Sequence, residues 1–285
     1  MRLASVIEHG VRTDVAMRDD RYLPLMTPDA RLNSVLGIAV HAPFGLERVR
    51  AWVDAEPERS WRPLADVEEI GAPIEPGTIY AIGQNYRPLG SATVERPPRP
   101  LVYGKAVNSI SGQDGIVSWD RTLTANVDAE CELGVVIGPE ASVFGYTIVN
   151  DISSRDPWLD GDQWLLGKSM SGFCPLGPWI VTSDELAPGA LRLGCRINTE
   201  PIQDGTTADM WFSVAEIVSY LSRHIDLSPG DVIATGTPAR LSSPPGPERH
   251  LEPGDVVTCW IEGIGELRTT IGQWQGPKRE GEGAA

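Results

Sequence analysis

The 285-residue chain is short of cysteine, histidine and positive charge: four Cys, four His, and 24 basic residues against 39 acidic ones. Each shortage excludes something. Cys131, Cys174, Cys195 and Cys259 form no Cys-x-x-Cys pair, which argues against a zinc knuckle or a dithiol redox centre and leaves them as reduced, mostly buried small hydrophobes. A net charge of −15 argues against nucleic acid and anionic membrane as partners, because both demand a basic surface. No apolar run approaches the roughly 18 residues of a membrane span. The opening Met1-Arg-Leu-Ala-Ser-Val-Ile-Glu-His-Gly10 breaks to charge too early for a secretory signal, so the expected compartment is the cytoplasm. No solenoid repeat is present.

What is there is a globular composition. A hydrophobic content of 41% supplies a core for one large domain and a small one. Residues 1–72 read as a small N-terminal α+β domain, with alternation over 2–7 and a helical stretch over 34–54. The linker Gly71-Ala-Pro-Ile-Glu-Pro-Gly77 marks the boundary. Residues 73–275 form the larger, strand-rich domain, with strands predicted at 78–83, 101–105, 130–137, 146–149, 179–182, 192–197, 231–235, 255–261 and 266–271. Two of them follow the same turn, Pro229-Gly-Asp231 and Pro253-Gly-Asp255, in which Pro presets one angle and Gly supplies a positive φ. One clear helix is predicted over 210–224, and the tail 276–285 is too polar to pack and is expected to be disordered. The fold class is therefore a β-rich α+β.

Glu130 and Glu132 carry the strongest chemical signal. Residues two apart on a strand point to one side of the sheet, so both carboxylates face one point while Cys131 and Leu133 face the other. Like charges at that spacing repel, and a divalent cation removes the conflict. With Asp151 they offer three hard oxygen donors, suited to Mg2+, with Mn2+ and Ca2+ as alternatives. The competing reading of the spacing alone is an exposed Glu pair on an edge strand and an ordinary turn aspartate.

From Ala81 to Ile271 the chain resembles the fumarylacetoacetate hydrolase family. The resemblance is carried, in the family's order, by seven segments: Ala81-Ile-Gly-Gln-Asn-Tyr86, Asp128-Ala-Glu-Cys-Glu-Leu-Gly134, Gly145-Tyr-Thr-Ile-Val-Asn-Asp151 running on to Asp156, Gln163-Trp-Leu-Leu-Gly-Lys-Ser169, Cys174-Pro-Leu-Gly-Pro-Trp179, Leu227-Ser-Pro-Gly-Asp231 running on to Pro238, and Ile261-Glu-Gly-Ile-Gly-Glu-Leu267. It implies the family's rolled, barrel-like mixed sheet, a homodimer, and a metal held by Glu130, Glu132 and Asp151. Around that metal, Lys168 is placed to stabilise the oxygen that gains charge as an enolate develops. Arg155 is placed either to bind a substrate carboxylate or to brace the metal carboxylates. Gly236 and Thr237 offer an N–H and a hydroxyl to an anionic ligand. Tyr86, Gln163 and Gln203 are further substrate-binding candidates.

The departures bear on the reaction. Hydrolytic members of the family follow Asn-Tyr with a His three residues on and a Glu three further, a pair that activates water. Here those positions are Leu89 and Ala92, which take no proton. The connection Pro139-Glu-Ala-Ser-Val-Phe144 is too short for the family's helical excursion, and Met170-Ser171 replaces the usual Phe-Asp. No other base is obvious: Glu95 is near in sequence, His224 reads as a helix C-terminal cap, and His250 as a solvated loop residue. The expected function is thus a divalent-metal-dependent enzyme acting on a small 2-oxo acid or 1,3-dicarbonyl carboxylate through an enolate. Isomerisation, tautomerisation or decarboxylation is favoured over hydrolysis. The alternatives are a carbon–carbon bond hydrolase with a relocated base and a non-catalytic keto-acid binder.

Overall fold

A computed structural model describes residues 1–88, 94–156, 163–241 and 249–276. Leu89, Ala92 and all of the 276–285 tail except Gly276 lie outside the described residues. Strands dominate. The larger sheet runs in the order Arg62–Pro63, Arg21–Pro24, Val11–Arg18, Arg2–Glu8, Cys174–Thr182, Val143–Asn150, Cys131–Ile137, Val232–Ala234, Ile79–Gly83, Leu101–Lys105. A second sheet runs Glu200–Thr206, Arg192–Ile197, Val256–Ile261, Gly265–Ile271, Gly115–Val117. Both are mixed: Val232–Ala234 pairs parallel with Ile79–Gly83, and Gly115–Val117 parallel with Gly265–Ile271. The class is the β-rich α+β fold read from the sequence, with strand paths that stay open and do not close into a barrel.

The strand Cys131–Ile137 is buried along its whole length, between Val143–Asn150 and Val232–Ala234, both antiparallel to it. Its alternation splits it between two cores. Cys131, Leu133 and Val135 pack with Leu193, Cys195, Val257 and Cys259 of the second sheet. Val136 instead joins a core with Ile38, Val49, Ile180 and Val232, to which the N-terminal helices contribute. Arg2–Glu8 pairs with Cys174–Thr182, so the first strands extend the same sheet that carries the site.

Local chemistry sets the boundaries that differ from expectation. The helical stretch over 34–54 is two helices, Val35–Val40 and Phe44–Ala55, because Pro43 between them lacks the N–H that would continue the first. The helix expected over 210–224 is Val214–Ser222, since Ser213 and Glu216 form a capping box at its start. The residues before it are held by Asn85, whose backbone oxygen accepts from Trp211 N at 2.7 Å and whose side-chain oxygen accepts from Phe212 N at 2.9 Å. Strand Glu200–Thr206 carries few strand signals because Pro201 and Gly205 interrupt its pattern. The two Pro-Gly-Asp turns are the same device: φ is +93° at Gly230 and +95° at Gly254. The carboxylates of Asp231 and Asp255 each accept a backbone N–H from three residues upstream at 2.9 Å. The connection after Ile137 is a single short turn, Pro139–Ala141. No helix among the described residues is long and apolar enough to cross a membrane.

Candidate metal centre

Glu130 and Glu132 sit at the N-terminal end of Cys131–Ile137, and Asp151 follows the last residue of the antiparallel neighbour Val143–Asn150. Register joins them, with Cys131 opposite Asn150 and Asp151 N donating to Glu130 O at 2.8 Å. One carboxylate oxygen from each of the three residues lies within 4.8 Å of the others. Glu132 and Asp151 are buried and Glu130 nearly so.

Cations are distributed unevenly over the three. Lys168 Nζ donates to Glu130 Oε2 and to Asp151 Oδ2, both at 2.7 Å. Lys105 Nζ donates to Asp151 Oδ1 at 2.5 Å and also to the backbone oxygen of Lys168. Tyr103 donates its hydroxyl to Asp151 Oδ2 at 2.5 Å. Arg155 reaches Glu130 Oε1 through Nη2 and Asp128 Oδ2 through Nε at 3.1 Å. Burial pushes the Asp151 carboxyl up, but Lys105 and Lys168 more than offset it and hold it well below the carboxylate range. Burial raises Glu130 in the same way, and Lys168 and Arg155 bring it below its ordinary value. Lys168 is held above its ordinary value because Asp151 and Glu130 outweigh its burial, so it is a firm ammonium.

Glu132 is the exception. Burial, then Asp151 and Glu130, push its carboxyl well above the ordinary range. The one hydrogen bond it receives among the described residues is from Gly236 N at 2.7 Å. A buried carboxylate beside two others, with no cation bonded to it among the described residues, is the arrangement a divalent cation relieves. The donor set is all hard oxygen, so Glu130, Glu132 and Asp151 fit such an ion.

A cavity of about 240 Å³ opens onto Glu130 and Glu132, walled by Ile82, Gln84, Tyr103, Trp164 and Thr237 and lined also by Arg155 and Lys168. Trp164 lies edge-on to Tyr103 at 5.0 Å. The other predicted residues are placed variously. Gly236 spends its N–H on Glu132; its φ is +94°, and a Cβ there would meet Asn85 Cβ at 2.8 Å. Thr237 lines the cavity while its hydroxyl donates to Cys131 O at 2.8 Å. Gln203 is buried behind it, accepting from Cys131 N at 2.9 Å and donating to Thr237 Oγ1 and Pro238 O at 2.8 and 2.7 Å. Its amide thus holds the strand that presents the glutamates. Tyr86 is buried beside the Met210 bridge, and its hydroxyl has no hydrogen-bond partner among the described residues. Gln163 is exposed, one residue before Trp164, and neither it nor Tyr86 is among the residues lining the cavity.

Sequence reasoning missed Lys105, Tyr103 and Asp128. The first two were findable: positions 103 and 105 share one face of a strand that was predicted, and a Lys ending an apolar strand needs an acidic partner. His250 corrects the expectation of a solvated loop residue. Its side chain is 25% exposed and its Nδ1 lies 2.8 Å from Asp128 Oδ1. It is bound because a buried carboxylate draws in every nearby donor. His224 is exposed just past its helix end, its ring tilted against Tyr220 with centroids 4.7 Å apart.

A protein-family model for the C-terminal domain of fumarylacetoacetate (FAA) hydrolase matches residues 78–272. An uncharacterised protein of Staphylococcus aureus (strain USA300) is 37% identical over 217 residues, 72% of each chain. Among solved structures, the fumarylacetoacetate hydrolase of the psychrophile Exiguobacterium antarcticum is 31% identical with a TM-score of 0.81, over 96% of this chain and all of that one. The 2-hydroxyhepta-2,4-diene-1,7-dioate isomerase of Mycobacterium marinum is 28% identical with a TM-score of 0.74, over 97% of this chain and all of that one.

Proposed function

The chain belongs to the fumarylacetoacetate hydrolase family, and from that premise we propose that it is a Mg2+-dependent enzyme converting a small 2-oxo acid or 1,3-dicarbonyl carboxylate by enolate chemistry. The observation that carries this reading is that Glu130, Glu132, Lys168 and Arg155 line one cavity, with a carboxylate oxygen of the buried Asp151 within 4.8 Å of those of the two glutamates. A divalent cation bound there supplies a Lewis acid for the carbonyl oxygen of the ligand. Lys168 keeps its ammonium charged and aimed into the cavity, where it stabilises negative charge gained by a ligand oxygen. Arg155 turns a guanidinium toward the same space and pairs with the ligand's carboxylate. Trp164 and Tyr103 give the same cavity an aromatic wall against which the apolar part of the ligand packs.

Isomerisation, tautomerisation or decarboxylation is favoured over hydrolysis, because Leu89 and Ala92 cannot activate water and those reactions need only an electron sink and a modest proton relay. The two named relatives are a hydrolase and an isomerase, so similarity at that level is compatible with either outcome. Carbon–carbon bond hydrolysis with a relocated base is the second reading, compatible with the hydrolase among the similar structures. We further propose a homodimer acting in the cytoplasm.

The test is turnover of a panel of 2-oxo and 1,3-diketo acids with Mg2+ in H2 18O, followed by mass spectrometry. Turnover without label in the product supports the leading reading, and label entering a cleaved product establishes the hydrolase. Ligand binding with neither turnover nor exchange of α-protons with D2O would identify a non-catalytic binder.

A further inference from the structure

The Arg155 guanidinium has three nitrogens, two of them attached. Nη2 bonds Glu130, Nε bonds Asp128, and Nη1 makes no hydrogen bond among the described residues while the side chain lines the cavity. Glu130 is one of the carboxylates a divalent cation would use, so that contact is the one competition weakens. Asp128 is then the anchor that decides where the guanidinium points.

Asp128 is 2% exposed and is itself held from two further sides. Its Oδ1 is hydrogen-bonded by His250 Nδ1 at 2.8 Å and forms an ion pair with Arg240 Nη1 at 2.8 Å, leaving Oδ2 to Arg155. A carboxylate only accepts, so the imidazole proton sits on Nδ1. The backbone beside His250 is fixed as well: Leu251 N donates to Val127 O at 2.8 Å, and Arg121 Nη1 donates to Leu251 O at 3.2 Å. The ring is thus delivered to Asp128 by the main chain. His250 and Arg240 together occupy Oδ1, and Oδ2 is the oxygen that meets Arg155.

We propose that His250, acting through Asp128, is a positioning residue that sets the Arg155 guanidinium for the ligand's carboxylate. This rests on the reading of Arg155 as the carboxylate's partner. The imidazole does not touch the ligand; it removes the alternative orientations of Asp128 that would let Arg155 drift.

The test is calorimetric titration of pyruvate into Mn2+-loaded protein, with Mn2+ affinity measured separately on the metal-free protein. H250L should weaken pyruvate binding about three- to tenfold, the scale of one hydrogen bond, while Mn2+ affinity stays within about twofold. H250N, whose amide nitrogen reaches the place of Nδ1, should restore most of the loss; H250Q, which reaches the place of Nε2, should not. In an R155A background H250L should weaken pyruvate no further, because coupled residues are not additive. An unchanged pyruvate affinity in H250L, an undiminished effect in R155A, or a loss in H250N equal to that in H250Q would each overturn the proposal. If R155A alone leaves pyruvate binding intact, the role given to Arg155 is wrong and the proposal falls with it. Should H250L not fold, the contrast between H250N and H250Q decides.

Discussion

Replacing Glu132 by Gln should make the metal-free protein more stable and the metal-bound protein less so. In the wild type the Glu132 carboxyl is 1% exposed, and burial followed by the charges of Asp151 and Glu130 raises it well above its ordinary value of 4.5. An acid held this way binds its proton more tightly when folded. Its contribution to stability is complete below the unfolded value and is lost as pH rises through the folded one. Each unit of displacement costs about 1.4 kcal/mol once the pH exceeds the folded value. Glutamine keeps an oxygen for Gly236 N and carries no charge, so the cost disappears. In EDTA at pH 8, Glu132→Gln should therefore melt above wild type, by about 2–4 °C for each kcal/mol recovered. The gap should narrow as the pH falls from 8 to 5 and close only below about 4.5, where the wild-type carboxyl is protonated in the folded and the unfolded state alike. With Mn2+ at a hundredfold over its Kd, wild type should gain about 2.7 kcal/mol, and the variant should gain little. Scanning calorimetry at the two pH values, with and without Mn2+, measures all four quantities. A variant that melts at or below wild type in EDTA at pH 8, or that keeps the full Mn2+ shift, would refute the reasoning.

Lys168→Met should separate binding from chemistry. Removing the ammonium that bridges Glu130 and Asp151 takes away one cation that competes with the metal for both, although Arg155 still holds Glu130 and Lys105 still holds Asp151, so Mn2+ affinity by titration should hold or rise. Exchange of substrate α-protons in D2O should fall by about 10²–10³, and an active variant would remove Lys168 from the mechanism. Asn85→Ala should destabilise the protein by about 3 kcal/mol in urea unfolding, because it orphans Phe212 N and Thr235 O, with which the buried amide bonds at 2.9 and 2.8 Å. A cost below about 1 kcal/mol would mean that water replaces the amide there.

Much of the site was legible because its signals are local. Two carboxylates at strand spacing share a face whatever the rest of the chain does, and the strand that carries them was predicted within one residue of Cys131–Ile137. Leu101–Lys105 and Arg192–Ile197 were read at their observed bounds for the same reason, since alternating or continuous apolar runs between turn residues need no tertiary information. Lys105, Tyr103 and Asp128 were not read as site residues, because a Lys, a Tyr and an Asp on strands have many ordinary uses. Only the fold brings Lys105 and Tyr103, 46 and 48 residues away in sequence, onto one aspartate. Gln203 and Gly236 were singled out as ligand contacts, whereas the structure spends their polar groups on the backbone and side chain of the metal strand.

By itself, then, the sequence determined the β-rich class, the carboxylate pair and its family, because periodicity and motif order are properties of neighbouring residues. The tertiary structure alone decided which carboxylate is raised by its neighbours rather than lowered by bonded cations, and which loop histidine is bound. Both depend on charges that meet across 17 to 122 residues of chain in a buried space, where burial and proximity set the balance.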